Sequence, residues 1–347
     1  MARPLRIDIK DGWYHITARG IDRREIFDGG MDNGHFLELL QECVSRYKIR
    51  LHAYCLMGNH YHLLIQTPHA NASKAMQWLN VSYGVWYNRK HDRVGPLFQG
   101  RFGSKLVDGE GAWALDLSVY IHLNPVRVAG LDLGKIDKKV EGLGWKEPTN
   151  EEIKARLARL RGHPWSSYRA CAGYVAAPQW LTCERLWEMC RSKGRTGQES
   201  YRRYVESIVK GGKEEDLASG FKVALAIGST GFVEKMKRRV SGDHKEQPDI
   251  KRWQRLTPFE NVIKALEKVR GERWEDIKGR HGDDGRDMAL LLGRRYCGLS
   301  LKELGESVGD MEYHAVSKAL SRMARKVDAN RGLKTMMGRI ENEMSNV

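Results

Sequence analysis

The sequence lacks any run of eighteen apolar residues, the longest candidate being the short stretch around Met288 to Leu292, so no membrane-spanning helix is expected. Met1 to Gly12 is basic but has no apolar core of the kind export signals carry, which predicts a cytoplasmic protein. No CxxC pair occurs. The six cysteines (Cys43, Cys55, Cys171, Cys183, Cys190 and Cys297) are widely spaced, which argues against a zinc ribbon or a compact disulfide framework and predicts reduced, structural thiols. Neither an internal repeat nor a low-complexity segment stands out. Acidic residues are outnumbered, 44 Asp and Glu against 59 Lys and Arg, giving a formal net charge of +15 that favours a polyanionic partner, nucleic acid first. With 41% hydrophobic residues over 347 positions, the chain can build at least two packed cores.

The patterning predicts a first strand over Trp13–Ala18 that ends at Arg19-Gly20, then an amphipathic helix carrying Phe36, Leu37, Leu39, Leu40 and Cys43. Leu51–Met57 and Tyr61–Gln66 read as two strands joined by a tight Gly58-Asn59 turn with positive φ. A second helix is expected over Ser73–Lys90, capped by Ser73, with Met76, Leu79, Val85 and Trp86 along it. A short strand over Phe102–Val107 follows, and then a helix with Trp113, Leu117, Tyr120 and Asn124 on one face, ended by Pro125. The order β-α-β-β-α-β-α predicts an α+β fold. Composition changes beyond Leu133, which puts a domain boundary near residue 145, and Lys237–Arg255 reads as a basic linker. The expected domains are 1–145, a helical extension and linker over 146–250, and a small helical domain over 251–347.

His60-Tyr61-His62 is the sharpest local feature, because residues i and i+2 of a strand share a face and bring two imidazoles together. A pair of sheet histidines with no ligand has the same spacing. Tyr120 and Asn124 stand four apart, and a tyrosine on an apolar helix face is also an ordinary core residue. Combined, the two features make chemical sense: a metal held by His60, His62 and Asn124 keeps positions open for a phosphate oxygen, and Tyr120 becomes the attacking group. The product is a covalent phosphotyrosine that stores the bond energy for strand transfer. Magnesium (Mg2+) is a poor match for imidazole, so manganese (Mn2+) is equally in view.

Three blocks in order, Leu56-Met57-Gly58-Asn59-His60-Tyr61-His62-Leu63-Leu64, Leu97-Phe98-Gln99-Gly100-Arg101-Phe102 and Tyr120-Ile121-His122-Leu123-Asn124-Pro125-Val126-Arg127, resemble the single-tyrosine transposases of small insertion sequences, most closely the REP-associated tyrosine transposases. Pro164-Trp165-Ser166-Ser167-Tyr168 extends the resemblance. It implies a ferredoxin-like or RRM-like antiparallel sheet with helices, His60 and His62 as metal ligands, and Tyr120 as nucleophile. It also implies single-stranded DNA cut beside a hairpin, leaving a 5′-phosphotyrosine and a free 3′ hydroxyl. Asn124 takes the place where relatives commonly have glutamine, and Gly58 the place where many have proline. Arg19, Arg23, Arg24, Lys90, Arg101, Lys105 and Arg127 are the candidate DNA contacts, Arg101 foremost because it sits inside a family block. Tyr83 and Tyr87 are the nearest alternative nucleophiles.

Further along, Leu301, Leu304, Val308, Val316 and Leu320 have the spacing of two helices crossing at a turn, with Ser300 as cap. The segment resembles the helix-turn-helix DNA-binding domain of the initiator DnaA. Tyr313, His314, Lys318 and Arg322 are its candidate DNA contacts, and Lys318, Arg322, Arg325 and Lys326 form a basic stripe suited to double-stranded DNA. The expected protein is a monomer or homodimer. A catalytically silent DNA-binding regulator with the same fold is the alternative, and an RNA-binding RRM-like module, which would show aromatics where His60 and His62 stand, ranks last.

Overall fold

A computed structural model describes residues 7–110, 112–127, 148–211, 226–228, 231–232, 235–236, 257–280, 282–297, 299, 301–309 and 311–345. The expected boundary near residue 145, the 237–255 linker and Ser300 lie outside the described residues. Two compact units emerge, one from residues 5–134 with 149–210, the other from 1–4, 135–148 and 211–347.

In the first unit, β1 (Gly12–Arg19), α1 (Gly30–Tyr47), β2 (Arg50–Met57), β3 (His60–Thr67), α2 (Ala72–Lys90), β4 (Gly103–Val107) and α3 (Trp113–His122) follow the expected order. These strands lie side by side as β2-β3-β1-β4, and each of the three pairings is antiparallel. That order is the one a β-α-β-β-α-β ferredoxin-like unit produces. Strand alternation sorts β3 into two faces. Tyr61 packs on Phe36 of α1 and donates to Asn80 Oδ1 of α2 at 2.6 Å, so α1 and α2 cover that side. His62 meets Tyr120 of α3 on the other.

Three local expectations are corrected. The β2–β3 turn does fall at Gly58-Asn59, yet neither residue has positive φ. Tertiary bonds shape it instead: the Ile26 and Phe27 amides donate to Gly58 O at 2.8 and 3.0 Å, and the Gly20 amide to Asn59 O at 2.9 Å. Ser73 is inside α2 and does not cap it; its own amide is bound by Asp8 Oδ1 at 3.1 Å, so an acid from an earlier segment meets that helix start. Val85 faces out, 48% exposed, while Tyr83 and Tyr87 take the buried face. Their hydroxyls donate to Ile26 O at 2.5 Å and Glu25 O at 3.4 Å, which lets two phenols lie in a core.

Residues 149–210 add α4 (Asn150–Gly162), α5 (Tyr168–Cys171), α6 (Glu184–Met189) and α7 (Gly197–Gly211). A Thr149/Glu152 capping box starts α4, with both reciprocal bonds made. The Trp165-Ser166-Ser167 segment lies along β2: the Leu56 amide donates to Trp165 O at 2.8 Å, the Ser167 amide to Tyr54 O at 3.0 Å, and the Tyr54 amide to Ser167 Oγ at 2.8 Å. Further along the same strand the Thr182 amide donates to Leu51 O at 2.8 Å. The outer edge of β2 is therefore occupied.

The second unit contains α8 (Phe259–Arg270), α9 (Trp274–Lys278), α10 (Asp284–Leu292), α11 (Leu301–Glu306), α12 (Tyr313–Ala329) and α13 (Arg331–Ser345). Leu301, Leu304, Val308, Val316 and Leu320 are all buried in its core, as their spacing predicts. Gly305 lets α11 approach the chain that leads into α12, because a Cβ there would lie 2.1 Å from Met311 O. Asp283 caps α10 through the Gly285 and Arg286 amides and also binds Arg270 Nη1 at 2.5 Å.

Candidate active site

The β1–β3 register sets His60 opposite Arg19 and His62 opposite Thr17, and β1 pairs His15 with Lys105 of β4. One sheet face thus carries His15, Arg19, His60, His62 and Lys105 together. The His60 and His62 rings are 5.1 Å apart, nearly perpendicular. Tyr120, half-buried near the end of α3, sets its ring edge-on to His62 at 5.8 Å and to His15 at 6.0 Å. The Arg127 guanidinium lies over the Tyr120 ring at 4.6 Å.

These imidazoles are neutral at pH 7. Burial, with Arg19 adding like charge, pushes His60 down to about 4. Burial and the neighbouring His15, His60, Arg127 and Arg19 hold His62 well below the ordinary range. Burial, with Lys105 adding charge, brings His15 to about 3. A neutral imidazole is the ligand form, and Asn59 Oδ1 accepts from His60 Nδ1 at 2.7 Å, which leaves the Nε2 lone pair bare. Two of the donors a divalent ion needs therefore fit. Among the described residues no group of three or more His, Cys, Asp or Glu side chains could hold a metal, so a third donor must come from another residue type.

Asn124 is not on the helix. α3 ends at His122, and Asn124 lies in the turn beyond, where its Nδ2 donates to Tyr120 O at 3.0 Å and Ile121 O at 3.1 Å. Its amide nitrogen satisfies the carbonyls that a helix end leaves open, and only Oδ1 remains as a donor atom for a cation. Lys90 is also displaced from the expected place. It pairs with buried Asp32 of α1, which His91 Nε2 also contacts at 3.0 Å, on the layer that covers the opposite sheet face. Tyr83 and Tyr87 of α2 belong to that same layer, away from the imidazoles.

Arg23 and Arg24 are exposed in the loop after β1, Arg23 with φ of 61° and its carbonyl accepting from Asn59 Nδ2 at 3.0 Å. Arg101 lines a cleft of about 480 Å³ between α2 and residues 95–102. In the second unit Lys318 is exposed on α12, but Arg322 pairs with buried Asp287 and Lys326 with Asp284 at 2.6 Å. The basic stripe is thus partly neutralised by α10. The side chains of Tyr313 and His314 lie outside the described residues.

Sequence reading missed two histidines. His15 Nε2 lies 2.9 Å from His62 Nδ1. His122, fully buried, anchors α3: Nε2 meets Ser167 Oγ at 2.7 Å and Nδ1 meets Tyr201 Oη at 2.7 Å. No spacing rule signals either, since each partner is distant in sequence.

Residues 8–123 match the family model described as "Transposase IS200 like". Residues 8–123 are thus similar to an IS200-like transposase domain. The domain spans β1 through α3 and includes Tyr120, while Asn124 and Arg127 fall just past its matched end. Among solved structures the chain is similar to that of a REP-associated tyrosine transposase bound to a REP hairpin, at 14% identity and a TM-score of 0.36, covering 52% of this chain and 92% of the other. No curated protein matches it. No helix among the described residues is long and apolar enough to cross a membrane.

Proposed function

We propose that this protein is a transposase that acts as a metal-dependent endonuclease and strand transferase for single-stranded DNA beside REP-like hairpins. The observation that carries the reading is the edge-on approach of the Tyr120 ring to His62, itself beside His60, within one unit of one chain. His60, His62 and Asn124 Oδ1 would hold the divalent ion, Mn2+ or Mg2+. When bound, it supplies Lewis-acid polarisation of a phosphate oxygen and offsets charge that builds during substitution.

Tyr120 Oη attacks the scissile phosphorus, the P–O3′ bond breaks, the phenolic proton leaves to solvent and the departing 3′ oxygen takes up a proton. A 5′-phosphotyrosine and a 3′ hydroxyl result, and attack by another 3′ hydroxyl reverses the step onto a new end. Arg127 and Arg19 flank the site and supply positive charge toward a DNA backbone. Arg23, Arg24, Arg101 and Lys105 extend that surface. The helical unit within 251–347 serves as a second, double-stranded DNA contact through Tyr313, His314 and Lys318, with Arg322 contributing less because Asp287 already binds it.

Tyr120→Phe is expected to abolish the covalent protein–oligonucleotide adduct on denaturing gels while leaving hairpin affinity within about twofold. Persistence of the adduct would overturn the nucleophile. His60→Ala and His62→Ala should each remove metal-dependent cleavage, whereas metal-independent cutting by either variant would overturn the ligand pair. A wild-type chain that binds hairpins but cuts no single strand with Mn2+ or Mg2+ would favour the regulator.

A further inference from the structure

We infer that His15 is a positioning residue for His62, accepting its Nδ1 proton so that the Nε2 lone pair of that ring faces a cation. This rests on the metal-site reading above. The β1–β3 register makes the two residues diagonal neighbours on one face, since Thr17 stands opposite His62 and His15 is two residues before it. Their rings lie 5.2 Å apart and are nearly parallel, 13° between planes, with His15 Nε2 and His62 Nδ1 2.9 Å apart.

Two neutral imidazoles in such contact share one N–H, and only two arrangements exist. In one, His15 donates, the proton of His62 sits on its Nε2, and that ring cannot bind a metal. In the other, His62 donates from Nδ1 and its Nε2 is bare. His60 supplies the comparison. Its Nδ1 faces an amide oxygen, which can only accept, so its Nε2 is bare whichever metal is present. The two strand histidines present the same atom only if His15 plays for His62 the part Asn59 plays for His60.

That arrangement puts the proton of His15 on its own Nδ1. Among the described residues that nitrogen is buried and has no hydrogen-bond partner, and His15 itself is 6% exposed. A ring that leaves one nitrogen unsatisfied in a core is a poor choice for stability alone. Its retained contact is the one to His62.

The test reads the tautomer directly. In metal-free protein with ¹⁵N-labelled histidine, long-range ¹H–¹⁵N spectra, with His62→Ala providing the assignment, should place the His62 proton on Nδ1. His15→Phe, which keeps ring shape and removes the acceptor, should move it wholly or partly to Nε2, and His15→Gln, which restores an acceptor, should keep it on Nδ1. Mn2+ titration followed by electron paramagnetic resonance should show affinity about 10–100-fold weaker for His15→Phe and nearer to wild type for His15→Gln.

A wild-type His62 protonated on Nε2 overturns the proposal without any variant. Unchanged Mn2+ affinity in His15→Phe, with binding lost in His62→Ala, overturns it while the metal site stands. Mn2+ binding that survives in His62→Ala removes the metal reading and this proposal with it.

Discussion

His52 and His122 are neutral in the folded chain and free to protonate in the unfolded one. Burial brings His52 to about 4 and His122 to about 3, both below the ordinary 6.5. Between those values the unfolded chain binds more protons, so stability is fully present above pH 6.5 and falls as pH drops toward 4 and 3. At pH 5.5 each ring should cost about 1 kcal/mol of stability. Urea unfolding from pH 7.5 to 5 checks this, and a flat midpoint would contradict it. At this scale the pattern of His60, His62 and Tyr120 was legible, because strand and helix periods are local. The placement of Asn124 on the helix was misjudged because a four-residue spacing puts side chains on one face only while the helix lasts, and α3 stops at His122. Lys90 was misjudged because charge does not reveal which sheet face a helix covers.

The helix that carries Tyr120 is held by a segment more than forty residues away. Ser167 Oγ contacts His122 Nε2 at 2.7 Å and accepts from the Tyr54 amide at 2.8 Å, joining α3 to β2. Ser167→Ala leaves both groups unsatisfied in a buried place and should cost about 1–3 kcal/mol. Chemical denaturation reads that loss, and adduct formation should slow as α3 loses its anchor. In the other unit Gly305→Ala drives a methyl into Met311 O and should destabilise by about 1–3 kcal/mol, read the same way. Element order and type were legible for β1 through α3 because apolar periodicity changes clearly between strands and helices. The start of α2 was not, since Asp8 reaches it from sixty-five residues away. Its buried face was misread because valine looks more apolar than tyrosine, yet the hydroxyls of Tyr83 and Tyr87 find backbone acceptors.

For the whole molecule, charge sets the expectation. A formal +15 predicts single-strand binding that weakens steeply with salt. Neutralising about four phosphates would give a fall of roughly fifty-fold from about 50 to about 200 mM salt. Fluorescence anisotropy of a labelled oligonucleotide measures the slope, and salt-independent affinity would contradict electrostatic binding.

The Trp165–Ser167 and Thr182 bonds along β2 carry a consequence for assembly. Another copy of this protein finds no open backbone ladder on that flank, so neither strand swapping nor edge-to-edge fibre growth can begin there. On that flank a second copy can meet this one only through side chains or through the DNA itself.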